Sequence, residues 1–156
     1  MSFSANLELK IPPVIVMLCI ASLMLLAAQE TSRLSYDIPS IKVAVWICGI
    51  AGLVIIVRGV QIFHQHQTTV DPRTPNASTQ IVTSDIYSFT RNPMYLGMAL
   101  CLLGWAFYLG NLIALGLVFG FVGYISRFQI LPEERLLQSK FGQEYIDYMV
   151  KVRRWF

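Results

Sequence analysis

Two short segments hold most of the residues in this 156-residue chain whose types suit chemistry. The first is Arg91-Asn92-Pro93-Met94-Tyr95-Leu96-Gly97. The second starts at Pro132-Glu133-Glu134-Arg135 and runs on through Phe141-Gly142-Gln143-Glu144-Tyr145. An arginine just ahead of a proline-started helix sets a fixed cation beside free backbone N–H groups, an arrangement that holds a carboxylate or phosphate. The same residues also suit plain anchoring at a membrane interface. Glu133 and Glu134 offer carboxylates to a cationic or hydroxyl-rich ligand. Their simpler role is charge at a helix N-terminus, worth about 0.3–1 kcal/mol. Adjacent helix positions point about 100° apart, so the two need not share a partner. One suits a ligand while the other pairs with Arg127, Arg135 or Arg91.

Other chemistries find little support. His64 and His66 flank Gln65, and two histidines with no nearby cysteine or acidic cluster make a poor metal site, so no metal is expected. Cys19, Cys48 and Cys101 sit inside apolar runs and read as small buried hydrophobes, not as a disulfide framework. There is no glycine-rich phosphate loop and no serine nucleophile elbow. The net charge of +3 comes without a basic stripe interleaved with aromatics, which argues against nucleic acid as a partner.

The elements that must position the two segments are apolar helices. The chain is 55% hydrophobic and only 13% charged, against about 25% charged in soluble domains. The pattern predicts an all-α integral membrane bundle, one domain over residues 1–156, with about four transmembrane helices near residues 11–28, 41–63, 94–109 and 112–131. The first run is read as a helix opened by Pro12-Pro13, in preference to a signal peptide. Gly110-Asn111 joins the third and fourth helices in a tight turn, so these two pack antiparallel. Gly97, Gly104, Gly116, Gly120 and Gly123 are expected to let backbones approach closely. Residues 64–93 form the one long polar stretch, a loop of functional or disordered type. Leu137, Phe141, Tyr145, Tyr148 and Val152 recur at spacings of three and four, which predicts an amphipathic C-terminal helix over 133–152 lying along the membrane surface.

Four crossings put the N-terminus, the 64–93 loop and the C-terminal segment on one side. That side carries Lys10, Arg73, Arg91, Arg127, Arg135, Lys140, Lys151, Arg153 and Arg154, against Arg33 and Lys42 opposite. The positive-inside rule then places both termini in the cytoplasm. The Asn76-Ala77-Ser78 glycosylation sequon falls on the wrong side of this topology for use.

Arg91-Asn92-Pro93-Met94-Tyr95-Leu96-Gly97, Glu133-Glu134, Phe141-Gly142, Tyr145, Tyr148 and Arg153-Arg154-Trp155 together resemble the isoprenylcysteine carboxyl methyltransferase family and the wider group of phospholipid methyltransferases. Thr68-Thr69-Val70-Asp71-Pro72 is similar to the threonine-rich segment of the bacterial branch. The resemblance covers the chain from Thr68 onward. It implies a membrane-embedded methyltransferase that uses S-adenosylmethionine in a cytoplasm-facing pocket. Arg91, Asn92, Tyr95, Gly97, Glu133 and Glu134 would lie around that pocket, with Tyr145 and Tyr148 near it. The chain departs from the pattern at two places. Asn92 stands where the eukaryotic motif has histidine, so this position can hydrogen-bond but not titrate. Asp85-Ile86 stands where a Gly-Pro pair is usual.

On that resemblance, Glu134 or Glu133 would bind the polar or cationic part of the cofactor. Arg91 and the helix start would hold its carboxylate or orient an acidic substrate, which makes Glu134 and Arg91 the candidate catalytic pair. The acceptor would be lipophilic or a small apolar molecule, drawn from the membrane lipids or dissolved among them. It could be a carboxylate, amine, phenol or thiol. The alternatives are a membrane reductase using NADPH and a non-enzymatic membrane scaffold. The glycine-rich faces leave the oligomeric state open.

Overall fold

The computed structural model describes residues 8–31, 34–36, 41–65 and 81–156. His66, residues 68–72, Arg73, the Asn76 sequon, Arg33 and Asp37 lie outside the described residues. The described chain is an all-helical bundle.

Helix α1 (Pro13–Glu30) starts at a proline and ends where the Thr31 hydroxyl donates to the Ala27 carbonyl. Helix α2 (Ile41–Gln65) carries an apolar window free of excess charge. Helix α3 (Pro93–Leu109) is shorter, with Pro93 in its first turn. Gly110 ends it at φ 57°, a left-handed residue that glycine adopts without a Cβ penalty. Asn111 then caps α4 (Leu112–Ile125): its Oδ1 accepts from the Ile113 and Ala114 N–H groups at 2.9 and 3.2 Å. The Asn111 amide also donates to the Thr31 carbonyl and hydroxyl, both at 3.1 Å, which fixes the end of α1 to the same corner. The expected tight antiparallel turn is therefore present.

The helix expected to end near residue 131 does not end there. It passes through a π-helical stretch (Ser126–Ile130) into α5 (Leu131–Phe141), so that Leu112–Phe141 is one apolar helix of 30 residues. Pro132 explains how. A proline inside a helix lacks the N–H that would bond four residues back and crowds that carbonyl. Here that carbonyl belongs to Phe128, and it accepts instead from the Leu9 N–H at 3.0 Å. The wider π turn, with Leu131 N–H bonded to the Ser126 carbonyl, makes room for the ring.

The amphipathic helix expected over 133–152 is likewise two pieces. Gly142, at φ 56° and ψ −126°, separates α5 from α6 (Gln143–Lys151). The apolar stripe is real, but the break folds it back on the protein: Tyr145, Tyr148 and Val152 form a cluster with Leu137, Phe141 and Ile81.

Helix α3 is the central element, with Tyr95, Met98, Ala99, Leu102 and Ala106 in a core shared with α1 and α4. Its main neighbour is α2. A Cβ on Gly97 would meet the Gly52 carbonyl at 2.6 Å, and one on Gly52 would meet the Gly97 carbonyl at the same distance. Gly104 backs onto α2 too, near the Val45 carbonyl. Gly116, Gly120 and Gly123 have nothing within 4 Å of a Cβ position, so these three do not serve the close approach expected of them. Gly52 does.

The outer faces of α1 and α2 remain apolar. Leu18, Leu26, Trp46, Ile47, Ile50 and Leu53 are all more than half exposed. Such a surface is stable in lipid rather than water. Three helices are long and apolar enough to cross a membrane, and α3 is a shorter fourth apolar helix. The bonds from Gln129 to the start of α1 and from Asn111 to its end show α1 and α4 running antiparallel. The start of α1, the start of α3, α5 and the C-terminal tail therefore gather at one end of the bundle.

Candidate active site

At that end the segment ahead of α3 lies against the C-terminal tail. The Arg91 N–H donates to the Arg153 carbonyl at 3.0 Å, and the Asn92 side-chain amide donates to the Arg154 carbonyl at 3.0 Å. The Thr90 hydroxyl donates to that same carbonyl at 3.3 Å and accepts from the Asn92 N–H at 3.2 Å. These bonds join stretches more than sixty residues apart in sequence.

The join is closed by Glu134. Its carboxylate accepts from Arg154 in bidentate fashion, at 3.0 Å from Nε and 2.7 Å from Nη2, and pairs with Arg91 Nη2 at 3.1 Å. The Arg91 and Glu134 side chains are 9% and 10% exposed, so this is a buried pair, and Arg154 is 37% exposed. The Glu134 carboxylate thus has most of its roughly four acceptor sites taken by two guanidiniums. Arg91 is less fully used: its buried Nε and Nη1 have no hydrogen-bond partner among the described residues.

Glu133, one residue back, is turned elsewhere. Its Oε1 accepts from the Tyr95 hydroxyl at 2.5 Å, across from the first turn of α3. The 100° offset of neighbouring helix residues thus separates the two glutamates: Glu134 holds the arginines and Glu133 faces Tyr95. Arg127 and Arg135, the other partners considered for a glutamate here, both bond Glu8 instead, in the stretch ahead of α1.

Tyr145 and Tyr148 stand on α6 with ring centroids 6.0 Å apart. The Tyr148 hydroxyl donates to the Tyr87 carbonyl at 2.6 Å, which ties α6 to the short 3-10 turn Asp85–Ser88. Burial, with the Glu134 carboxylate nearby, pushes the Tyr145 phenol up to about 12, and burial also raises Tyr148. Both are neutral donors at physiological pH. Arg154 is held above its ordinary value by its bond to Glu134.

Of the residues singled out from sequence, Arg91, Asn92, Tyr95, Glu133 and Glu134 come together at this end, with Tyr145 and Tyr148 behind them on α6. Gly97 does not join them; it sits at the α2–α3 crossing. Asn92 does not cap α3 with its side chain; it fastens the tail. Sequence reasoning missed Arg154 and Thr90. Arg154 was visible within Arg153-Arg154-Trp155, among the basic residues of one side and the residues of the resemblance, but was given no partner. Gln129 was also missed. It is a buried polar residue inside an apolar run, and its amide donates to the Ile11 carbonyl at 2.6 Å. Asp85 takes a left-handed φ of 53°, one that glycine adopts freely and aspartate tolerates. Among the described residues no three His, Cys, Asp or Glu side chains are grouped to hold a metal ion.

The model of the family described as phospholipid methyltransferase matches residues 41–144. The chain belongs to that family. The matched stretch runs from α2 to the start of α6, so it takes in Arg91, Tyr95 and both glutamates but not Arg154. A protein of Haemophilus influenzae described as uncharacterized is 52% identical over 63 residues, which is 40% of this chain and 98% of that protein. Family membership and the apolar helices together make the chain an integral membrane protein of a methyltransferase family.

Proposed function

We propose that the protein is an S-adenosylmethionine-dependent methyltransferase whose cofactor sits beside Glu133, Tyr95 and Arg91, at the cytoplasmic face of a bacterial inner membrane. The observation that carries this reading is the division of labour between the glutamates. Glu134 spends its charge on Arg91 and Arg154, so it shapes the site. Glu133 keeps acceptor capacity beyond its one bond to Tyr95. Two buried guanidinium donors on Arg91 lack partners among the described residues, and a free donor in a dry site costs about 1–3 kcal/mol. A carboxylate, such as that of an amino-acid group, would satisfy them.

When bound, S-adenosylmethionine would supply a methyl group on a sulfonium; an acceptor atom held about 3–3.5 Å from that carbon would take it in line as the C–S bond breaks and a neutral thioether departs. The chain's part is to bind and orient. Arg91 takes the carboxylate, Glu133 a hydroxyl or ammonium, and Tyr95 fixes the Glu133 carboxylate. Asn92 and Arg154 hold the Arg91 segment in place. Tyr145 and Tyr148 stay neutral and do not abstract protons; the one Tyr148 O–H is already donated to the Tyr87 carbonyl, which leaves the Tyr145 hydroxyl as the donor. A lipophilic acceptor reaches the site sideways from the bilayer, while the soluble cofactor arrives from the aqueous side.

The test uses the purified protein in lipid nanodiscs, methyl-labelled S-adenosylmethionine and a bacterial lipid extract. Label should enter a lipid-soluble product, and Glu133→Gln should slow it by about tenfold or more, as expected for loss of one of its hydrogen bonds to the bound cofactor. Transfer that is absent from every lipid fraction, or unchanged in Glu133→Gln, contradicts the proposal.

A further inference from the structure

The opposite end of the bundle has a feature the methyltransferase reading leaves unused. A groove of about 450 Å³ opens between the start of α2 and the end of α3. It lies a full length of α3 from Arg91, roughly 25 Å for a helix of this size. Its less exposed lining is apolar and includes Val45, Phe107 and Leu109, all half-buried. Its rim carries Lys42, Trp46 and Tyr108. Trp46 is 71% exposed and Tyr108 is 68% exposed, with the Tyr108 ring stacked on Trp105 at 5.3 Å between centroids.

Three properties together decide what fits. The volume lies within the range of small-ligand pockets, about 300–1,000 Å³, and so suits part of a lipid. The two exposed aromatics mark the depth of a membrane–water interface, where amphipathic rings gather. Lys42 is exposed and makes no ion pair among the described residues. Glu30 is another described charge at this end, and it does not line the groove. A cation at the mouth of an apolar trough complements an amphiphile with an anionic head and a hydrocarbon body.

We propose that this groove seats one anionic phospholipid from the leaflet farther from Glu134, with its phosphate on Lys42 and an acyl chain along Val45 and Leu109. The seat is separate from the acceptor's. The lipid would fill the space between α2 and α3 just beyond their glycine crossing and brace the Gly110-Asn111 corner.

The experiment is native mass spectrometry of the full chain released from detergent after exchange into phosphatidylglycerol or diacylglycerol. The parent protein should keep one phosphatidylglycerol and little diacylglycerol. Lys42→Glu should lower phosphatidylglycerol retention about tenfold, the scale of one charge-assisted contact, while Lys42→Arg retains it. Val45→Trp, which fills the groove, should also release it. Equal retention by Lys42→Glu overturns the proposal, as does equal retention of diacylglycerol or no retention by the parent. Lys42 is exposed, so its variants do not put the fold at stake.

Discussion

Glu134 is the residue on which the far ends of the chain converge. Removing one partner of a buried ion pair leaves the other charge unpaired, at a cost of about 3–5 kcal/mol. Glu134→Ala should therefore lower the thermal unfolding midpoint in detergent sharply, and Glu133→Gln should change it little. Arg154→Ala should fall between, because Arg154 is 37% exposed and its pairing is partly screened. Differential scanning fluorimetry on the three variants checks the order. A second expectation concerns pH. The Tyr145 phenol is raised, so its protonated form is favoured in the folded state. Its contribution is present in full below the ordinary tyrosine value near 10 and is lost as pH rises through about 12. Unfolding followed from pH 7 to 9 should show no loss assignable to this group. At this scale the sequence revealed that Arg91 and the glutamate pair belong together, since a hairpin brings its own ends into register. It did not reveal which glutamate meets the arginine, because that depends on the rotation of α5. Nor did it reveal Arg154, whose partner lies twenty residues away across a break.

At the scale of elements, the α2–α3 crossing is the tightest joint. Gly52→Ala and Gly97→Ala each drive a methyl group into backbone at 2.6 Å and should destabilise by about 1–3 kcal/mol or more, as overpacking does. Gly116→Ala, with open space around it, should be neutral or stabilise by up to about 1 kcal/mol through helix propensity. Thermal unfolding of these variants separates packing glycines from idle ones. Asn111→Ala should cost about 1–2 kcal/mol, since the cap and the tie to Thr31 go together. The α3–α4 turn was legible because Gly110-Asn111 is a strong local signal. The continuity through Pro132 was not. A proline after an apolar run reads as a boundary, and only the Leu9 N–H, supplied from over a hundred residues away, satisfies the carbonyl it leaves free. Gly142 was a readable stop, but the apolar spacing carried on past it and masked the break.

For the whole molecule, the placement of the site follows from the directions in which the helices run. Helices α1 and α4 run antiparallel, and the start of α1, the segment ahead of α3 and the C-terminal tail share one end. The 30-residue α4–α5 helix is about 45 Å long, against a hydrocarbon core near 30 Å. Its charged third, with Glu133 and Glu134, can thus stand clear of the lipid. We expect a C-terminal reporter fusion to read as cytoplasmic; a periplasmic reading would move the site away from the cofactor supply. Apolar composition made the bundle legible from sequence, and the exposed apolar faces of α1 and α2 are the surface that composition implies for a membrane protein. The measurement that bears most directly on the central claim is equilibrium binding of S-adenosylmethionine to the purified protein, in parallel with NADPH. The account predicts saturable binding of S-adenosylmethionine, weakened in Glu133→Gln and Arg91→Ala, and none of NADPH. Failure of the parent protein to bind S-adenosylmethionine, or undiminished affinity in both variants, would contradict it.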